Sequence, residues 1–395
     1  MFQFGNKKQP RLLEILDKNV SDDLYLKKEA VERFVPKDTN GKIHFVGAIA
    51  PDPKDPRTTF EEGGRIHDSH KVLGTDKLSR TLCARDWIEP IKIICPPKGR
   101  AVISINGESY SIRELSTKEY WRLQGIPDTF FERANKVIPS SKMYERAGRA
   151  ICIPMLKEIF KDFITPLDKG NKLRIFESFS GIGSQRIALD LLTFPYISVG
   201  ISEVDRYAIL AYDAIHNPGT QEDYSEGKSD EEMLNYLRSI SVGYNFSTYE
   251  DELPKKHKDI IALYNACLNS HNYGDISKIN PSSLPDMDFF TYSFPCKNIS
   301  IAGIPRGSNV GFDKDIESQS ALLWQCEKII KEKRPKYLMM ENVKNILGKS
   351  NIGNFKKWIS ILEELGYRSE YAVYNASDFG VPQNRERVIM MSKLK

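Results

Sequence analysis

From Leu173 onward the chain alternates between two hydrophobic patterns. Short apolar runs read as strands: "LRIFESFS", "YISVGISEVD", "MDFFTYSF", "PKYLMMENV", "YRSEYAVYNA" and "RERVIMMS". Between them "GIGSQRIALDLL", "RYAILAYDAI", "SALLWQCEKIIKEK" and "NFKKWISILEELG" place apolar residues at helical spacing. Strands alternating with helices predict an α/β fold, a doubly wound Rossmann-like parallel sheet over residues 141–395. The first 140 residues differ, because Pro, Gly and charged clusters such as "VPKDTNGK", "APDPKDPRTTFEEGGR" and "CPPKGR" separate short strand-like pieces. They predict a second, smaller, loop-rich domain. "SKMYERAGRAICIPMLKEIFKDF" predicts a helix closing the sheet domain at 141–164, with "ITPLDKGNK" a linker at 165–172.

Composition narrows the function classes. At 395 residues the chain has room for two domains and a large sheet. Its longest apolar runs are strand-sized and its start lacks the pattern of a signal peptide, so a cytoplasmic protein is expected. The six cysteines are scattered without a C-x-x-C pair, which predicts reduced thiols and neither zinc nor disulfides. The net charge is only +4, but the basic excess falls in the first 165 residues, making that part the better polyanion binder.

"FESFSGIGSQRIAL" ends a strand in a glycine turn that opens a helix, the arrangement that lets a ligand approach the backbone. Arg186 occupies the third glycine's place of a dinucleotide fingerprint, which counts against a nicotinamide cofactor. Glu203, at the end of the next strand, can accept ribose hydroxyls, so the pair fits any adenosine-bearing cofactor. "MDFFTYSF" delivers Pro295 and Cys296 to the same crevice, and "YLMMENV" delivers Glu341 and Asn342. A lone buried cysteine is usually inert packing, but this one opens a loop beside a cofactor turn. "FGVPQNRERVIMM" adds Gln383, Arg385 and Arg387, whose guanidinium forks suit a nucleobase carbonyl or a phosphate.

With these residues in view, the chain resembles the cytosine-5 DNA methyltransferases. The matching pieces are "FESFSGIGS", "SEVD", "YGDIS", "SFPCKNIS", "MMENV" and "QNRER". The family's closing pieces resemble "LSRTLCARD", "RELSTKEYWRLQGIPDTF" and "AGRAICIPMLKEIF", which stand here at the front, so the order resembles a circularly permuted member. The resemblance implies S-adenosylmethionine as cofactor, duplex DNA as partner, and a cytosine flipped out of the helix. It implies Cys296 as nucleophile at carbon 6 of the base and Glu341 at the ring nitrogen 3 and amine. Arg387 is implied at the base carbonyl, with Arg385 supporting the loop and the thiolate. Phe179, Gly181 and Gly183 are implied at the methionine end, Glu203 at the ribose, Asp275 at the adenine amine and Ile276 on the adenine ring.

The front domain is expected to recognise the target through residues 31–100, with Arg57 and Arg65 as base readers and Lys54 and Lys71 at phosphates. Three positions depart from the family's pattern: Lys297 for Gln, Gln319 for Arg, and Arg149 for Asn. Lys297 is expected to lower the cysteine pKa or meet a phosphate. An RNA methyltransferase with the same core and a catalytically impaired DNA-binding regulator are the alternatives. A monomer is expected, with a cognate restriction endonuclease acting separately.

Overall fold

The computed structural model describes residues 9–40, 43–49, 71–98, 101–164, 172–219, 222–245, 250–295 and 322–395. The front of the chain builds a six-stranded sheet from β1 (Phe34–Asn40), β2 (His44–Ile49), β3 (Lys71–Leu73), β4 (Lys92–Cys95), β5 (Ile103–Ile105) and β6 (Glu108–Glu114), in the order β1-β2-β3-β4-β6-β5. All pairings are antiparallel except β3 with β4. A one-turn helix α1 (Lys28–Val31) supplies Val31 to its small core with Val46, Ile49, Val72, Ile103 and Ile112.

Four helices follow: α2 (Thr117–Arg122), α3 (Asp128–Asn135), α4 (Ser140–Arg149) and α5 (Ile153–Phe163). Ser116 and Glu119 form a reciprocal capping box at the start of α2, and Arg113 of β6 closes on the buried Glu119 at 2.7 Å. The single closing helix expected over 141–164 is instead two. Pro154 stands in the first turn of α5, where its missing N–H is harmless, and Ala150 is extended, so the chain restarts there.

The second sheet contains β7 (Leu173–Ser178), β8 (Tyr196–Ser202), β11 (Phe289–Tyr292), β12 (Tyr337–Val343), β13 (Tyr367–Asn375) and β14 (Glu386–Leu394). A two-residue pairing, β9 (Tyr244–Asn245) with β10 (Glu250–Asp251), stands apart. The order is β13-β14-β12-β11-β7-β8. β12, β11, β7 and β8 are mutually parallel, while β14 runs antiparallel to both of its neighbours. The sheet is therefore mostly rather than wholly parallel. The cause is local: only the short turn Ala376–Phe379 and a few residues join β13 to β14, and a parallel return needs a crossover of a dozen residues or more.

Helices α6 (Ser184–Leu191), α7 (Arg206–His216), α10 (Leu323–Lys333) and α11 (Ile352–Glu364) flank the sheet, while α9 (His257–Asn269) packs on α7 and α8 (Asp230–Ser239) on α9. One apolar cluster joins Trp121 and Phe131 of the front helices to Ile175, Ile187 and Phe289, and Phe160 of α5 meets Phe289 edge-on at 5.4 Å. The packing therefore has no break near residue 140. A second cluster on the opposite face holds Phe290, Tyr292, Trp324 and Trp358. Among the described residues, no helix is long and apolar enough to cross a membrane, and no group of His, Cys, Asp and Glu is placed to hold a metal.

Candidate active site

The chain leaves β7 toward β8 on one side and returns to β11 on the other, which opens a crevice at the carboxyl ends of β7 and β11. Its floor is the turn after β7. Phe179 has φ +56°, a costly conformation for a bulky side chain, and is held by its N–H donating to the Ser202 carbonyl at 2.8 Å. Gly181 and Gly183 also have positive φ, for different gains. A Cβ on Gly183 would lie 2.3 Å from His216 Nε2, whereas one on Gly181 would meet nothing within 4 Å. Gly183 packs the turn onto α7, and Gly181 leaves open space above it.

Glu203 stands just past β8 and accepts three backbone N–H groups at 2.9 Å each, from Gly181, Val204 and Asp205. Burial, then the neighbouring Asp205, raises its pKa; the amides and Arg146 oppose the shift. Asp205 caps α7 by accepting from Tyr207 and Ala208. Its carboxylate also meets Arg146 at 2.8 Å and Arg149 at 3.5 Å. Burial would raise the Asp205 pKa, but the two arginines hold it down at about 2. Arg149, one of the departures from the family pattern, thus joins α4 to the Glu203 end of the crevice. Sequence reasoning missed Arg146 and Asp205, although an aspartate directly before a helical run is an N-cap signature.

Asp275 is buried and accepts from the Ser277 N–H at 2.9 Å, and Ile276 belongs to the apolar cluster with Phe176 and Phe290. The hydroxyls of Ser178, Ser180 and Ser293 are buried without a partner among the described residues. Three unpartnered hydroxyls, an open glycine and a fixed carboxylate sit on the strand ends and turn here, a donor and acceptor set that fits a polar ligand carrying a ribose.

At the other end, Glu341 of β12 and Arg387 of β14 are diagonal neighbours across the antiparallel pair. Arg387 Nε lies 3.1 Å from Glu341 Oε1, with the side chains 14% and 13% exposed. Burial raises the Glu341 pKa against the pull of Arg387 and Arg385. Asn342, facing the other way, donates to the Phe294 carbonyl at 3.1 Å and so fixes the chain just past β11, before Pro295.

Arg385 does not join that pair directly. Its fork is spent on three backbone carbonyls, Leu82 at 3.0 Å, Gly148 at 2.9 Å and Ala150 at 3.0 Å, and burial lowers its pKa to about 9. Gln383 works alongside it, accepting from the Leu82 N–H at 3.0 Å and donating to the Leu123 carbonyl at 2.6 Å. Lys71 lies over the Phe45 ring, 4.6 Å from its centroid, on the front sheet. Cys296, Lys297, Arg57, Arg65, Lys54 and Gln319 lie outside the described residues.

The sequence profile described as C-5 cytosine-specific DNA methylase matches residues 3–165 and 252–395. The Type II methyltransferase M2.ScrFI of Lactococcus lactis subsp. cremoris is 47% identical over 227 residues, 56% of this chain and 61% of that protein. The orphan methyltransferase M.SssI of Spiroplasma monobiae is 38% identical over 238 residues, 58% of this chain and 61% of that protein. The chain thus spans about three-fifths of the length of these relatives. The crystal structure of S. pombe Dnmt2 methyltransferase is 19% identical, with a TM-score of 0.35 over 56% of this chain and 51% of that one.

Proposed function

We propose that this chain, which belongs to the C-5 cytosine-specific DNA methylase family, methylates carbon 5 of a cytosine flipped from duplex DNA, using S-adenosylmethionine. The observation that carries the reading is the Glu341–Arg387 pair, set beside a β11 end that Asn342 ties to β12. Cys296 follows Phe294 by two residues in sequence. Its thiolate adds to carbon 6 of the base, which makes carbon 5 nucleophilic. Glu341, its carboxyl pKa raised by burial, holds ring nitrogen 3 and the exocyclic amine and can carry the proton that nitrogen 3 takes up. Arg387 orients Glu341 and faces the base carbonyl. Arg385 supports them from behind as a positioning residue.

When bound, S-adenosylmethionine supplies an electrophilic methyl group. Phe179, Gly181 and Gly183 would hold its methionine end and Glu203 its ribose, while Asp275 and Ile276 would hold the adenine. A carboxylate has about four acceptor sites, and Glu203 already uses three, so accepting both ribose hydroxyls requires one backbone amide to yield. The positive φ and open side of Gly181 make its N–H the contact that can move.

The order of the matching segments supports a circular permutation. α5 packs against α6, and Phe160 reaches β11, so only a short connector is needed between the closing helix and β7. The front sheet is assigned target recognition, with Arg57, Arg65, Lys54, Lys71 and Lys297 as DNA contacts. A monomer in the cytoplasm, with any restriction endonuclease separate, completes the reading. Bisulfite sequencing of plasmid from an expressing host tests it: protected cytosines at one short sequence are expected, and uniform conversion overturns it.

A further inference from the structure

The four tryptophans of the chain divide sharply. Trp121, Trp324 and Trp358 are 0%, 5% and 0% exposed, whereas Trp87 is 48% exposed, with Ile88 beside it at 59%. They cap a turn that is internally braced. Arg80 grips Asp86 with two bonds, at 3.0 and 3.3 Å. Asp86 in turn accepts from the Cys83 N–H at 3.0 Å and donates its own N–H to the Cys83 carbonyl at 3.1 Å. The Ile88 N–H donates to the Arg85 carbonyl. Asp86 is neutralised and buried, so the tip presents an indole, an isoleucine and the exposed Arg85.

The root of this turn is bonded to the segment that carries the catalytic pair. Leu82 is held by Gln383 and Arg385, and the Thr81 hydroxyl donates to the Asn384 carbonyl at 2.5 Å. Arg387 follows two residues later and closes on Glu341. An exposed apolar tip with one cation is therefore anchored to the segment that carries Arg387. Flipping a base leaves its neighbours unstacked, and a flat aromatic side chain can replace the lost stacking, as apolar wedges do in other kinked duplexes. We propose that Trp87, backed by Ile88, enters the base stack beside the extruded cytosine, while Arg85 meets the adjoining phosphate. This rests on the reading that the chain acts on cytosine in duplex DNA.

The test uses a duplex carrying the site mapped by bisulfite sequencing, made twice: with the target cytosine opposite guanine, and with it opposite an abasic site. As Trp87 is the sole exposed tryptophan, acrylamide quenching reports on it directly. Quenching is expected to fall when the paired duplex binds. Trp87→Ala is expected to bind the paired duplex about tenfold more weakly but the abasic duplex nearly as well as the unchanged chain, with Trp87→Phe between. Unchanged quenching on binding, an equal loss on both duplexes, or self-association that disappears in Trp87→Ala would each overturn the wedge. A wild-type chain that methylates no sequence removes the functional reading and the wedge with it. An active wild type with an unshielded Trp87 removes the wedge alone.

Discussion

The two ends of the crevice are built by opposite means. At the end proposed for the cofactor, Glu203 is fixed by amides 22, 1 and 2 residues away, and the turn Phe179–Gly183 is held by Ser202 and Glu203 at the end of the next strand. At the catalytic end, Gln383 and Arg385 are fixed by partners 235 to 303 residues away, at Leu82, Leu123, Gly148 and Ala150. A cofactor turn can be local because a strand end and a helix start already supply its donors. On the proposed reading, a site that holds a base against a recognition segment cannot be, since the two have to be registered to one another. The front of the chain therefore contributes structure to the chemistry, and substitutions at the two ends should fail in different ways.

The largest separation is expected from the reacting groups. Cys296→Ser should abolish methyl transfer, and Glu341→Gln should lower the rate by about 10²- to 10⁴-fold. Both should bind S-adenosylmethionine within about twofold of the unchanged chain by calorimetry. A parallel loss of cofactor affinity would mean that the two ends are not separable.

Next in size is Arg385→Met. It leaves three buried carbonyls without a donor, at about 1–3 kcal/mol each when unsatisfied, so roughly 3–5 kcal/mol of stability should be lost in urea titration. If stability holds and only activity falls, Arg385 acts on the substrate rather than as a brace. Glu203→Ala should cost less, weakening cofactor binding by about 10- to 100-fold with DNA affinity retained. Calorimetry with cofactor, beside a mobility shift with DNA, separates these outcomes.

How much could be read from the sequence follows the same division. The six strands of the second sheet are visible as short apolar runs, continuous where the strands are buried, and the candidate site residues sit at or near strand ends. Glu203, Glu341 and Asn342 are legible for that reason. The antiparallel course of β14 is not, since apolar runs carry no direction and only the length of the preceding turn betrays it. Nor are the roles of Gln383 and Arg385, because a fork can serve a nucleobase or a carbonyl equally well and the choice depends on segments three hundred positions away. The break at Ala150 had a visible signal in Pro154, but the helical spacing on both sides masked it. Trp87 looks like any loop tryptophan until its exposure is set beside the three buried ones.

One contact crosses between the two ends, and it gives the smallest and most specific effect. α4 supplies the Gly148 carbonyl to Arg385 and, two residues earlier, Arg146 to Asp205. Asp205→Asn keeps an acceptor for capping α7 but removes the charge that Arg146 and Arg149 face. The folded pKa of about 2 lies below the ordinary value of 3.8, so the ion pairs stabilise the fold above about pH 4 and lose that contribution as pH falls toward 2. The shift corresponds to about 2 kcal/mol. Asp205→Asn should therefore be less stable by about that amount at pH 7, and its gap to the unchanged chain should narrow only below about pH 4. A gap that is constant with pH would assign the loss to capping geometry rather than charge. Cofactor affinity in the variant adds a second reading: because Asp205 also raises the Glu203 pKa, its neutralisation should lower that pKa and leave Glu203 ionised to lower pH. If cofactor binding in Asp205→Asn follows the same acid limb as in the unchanged chain, the α4 contact braces the fold without tuning Glu203.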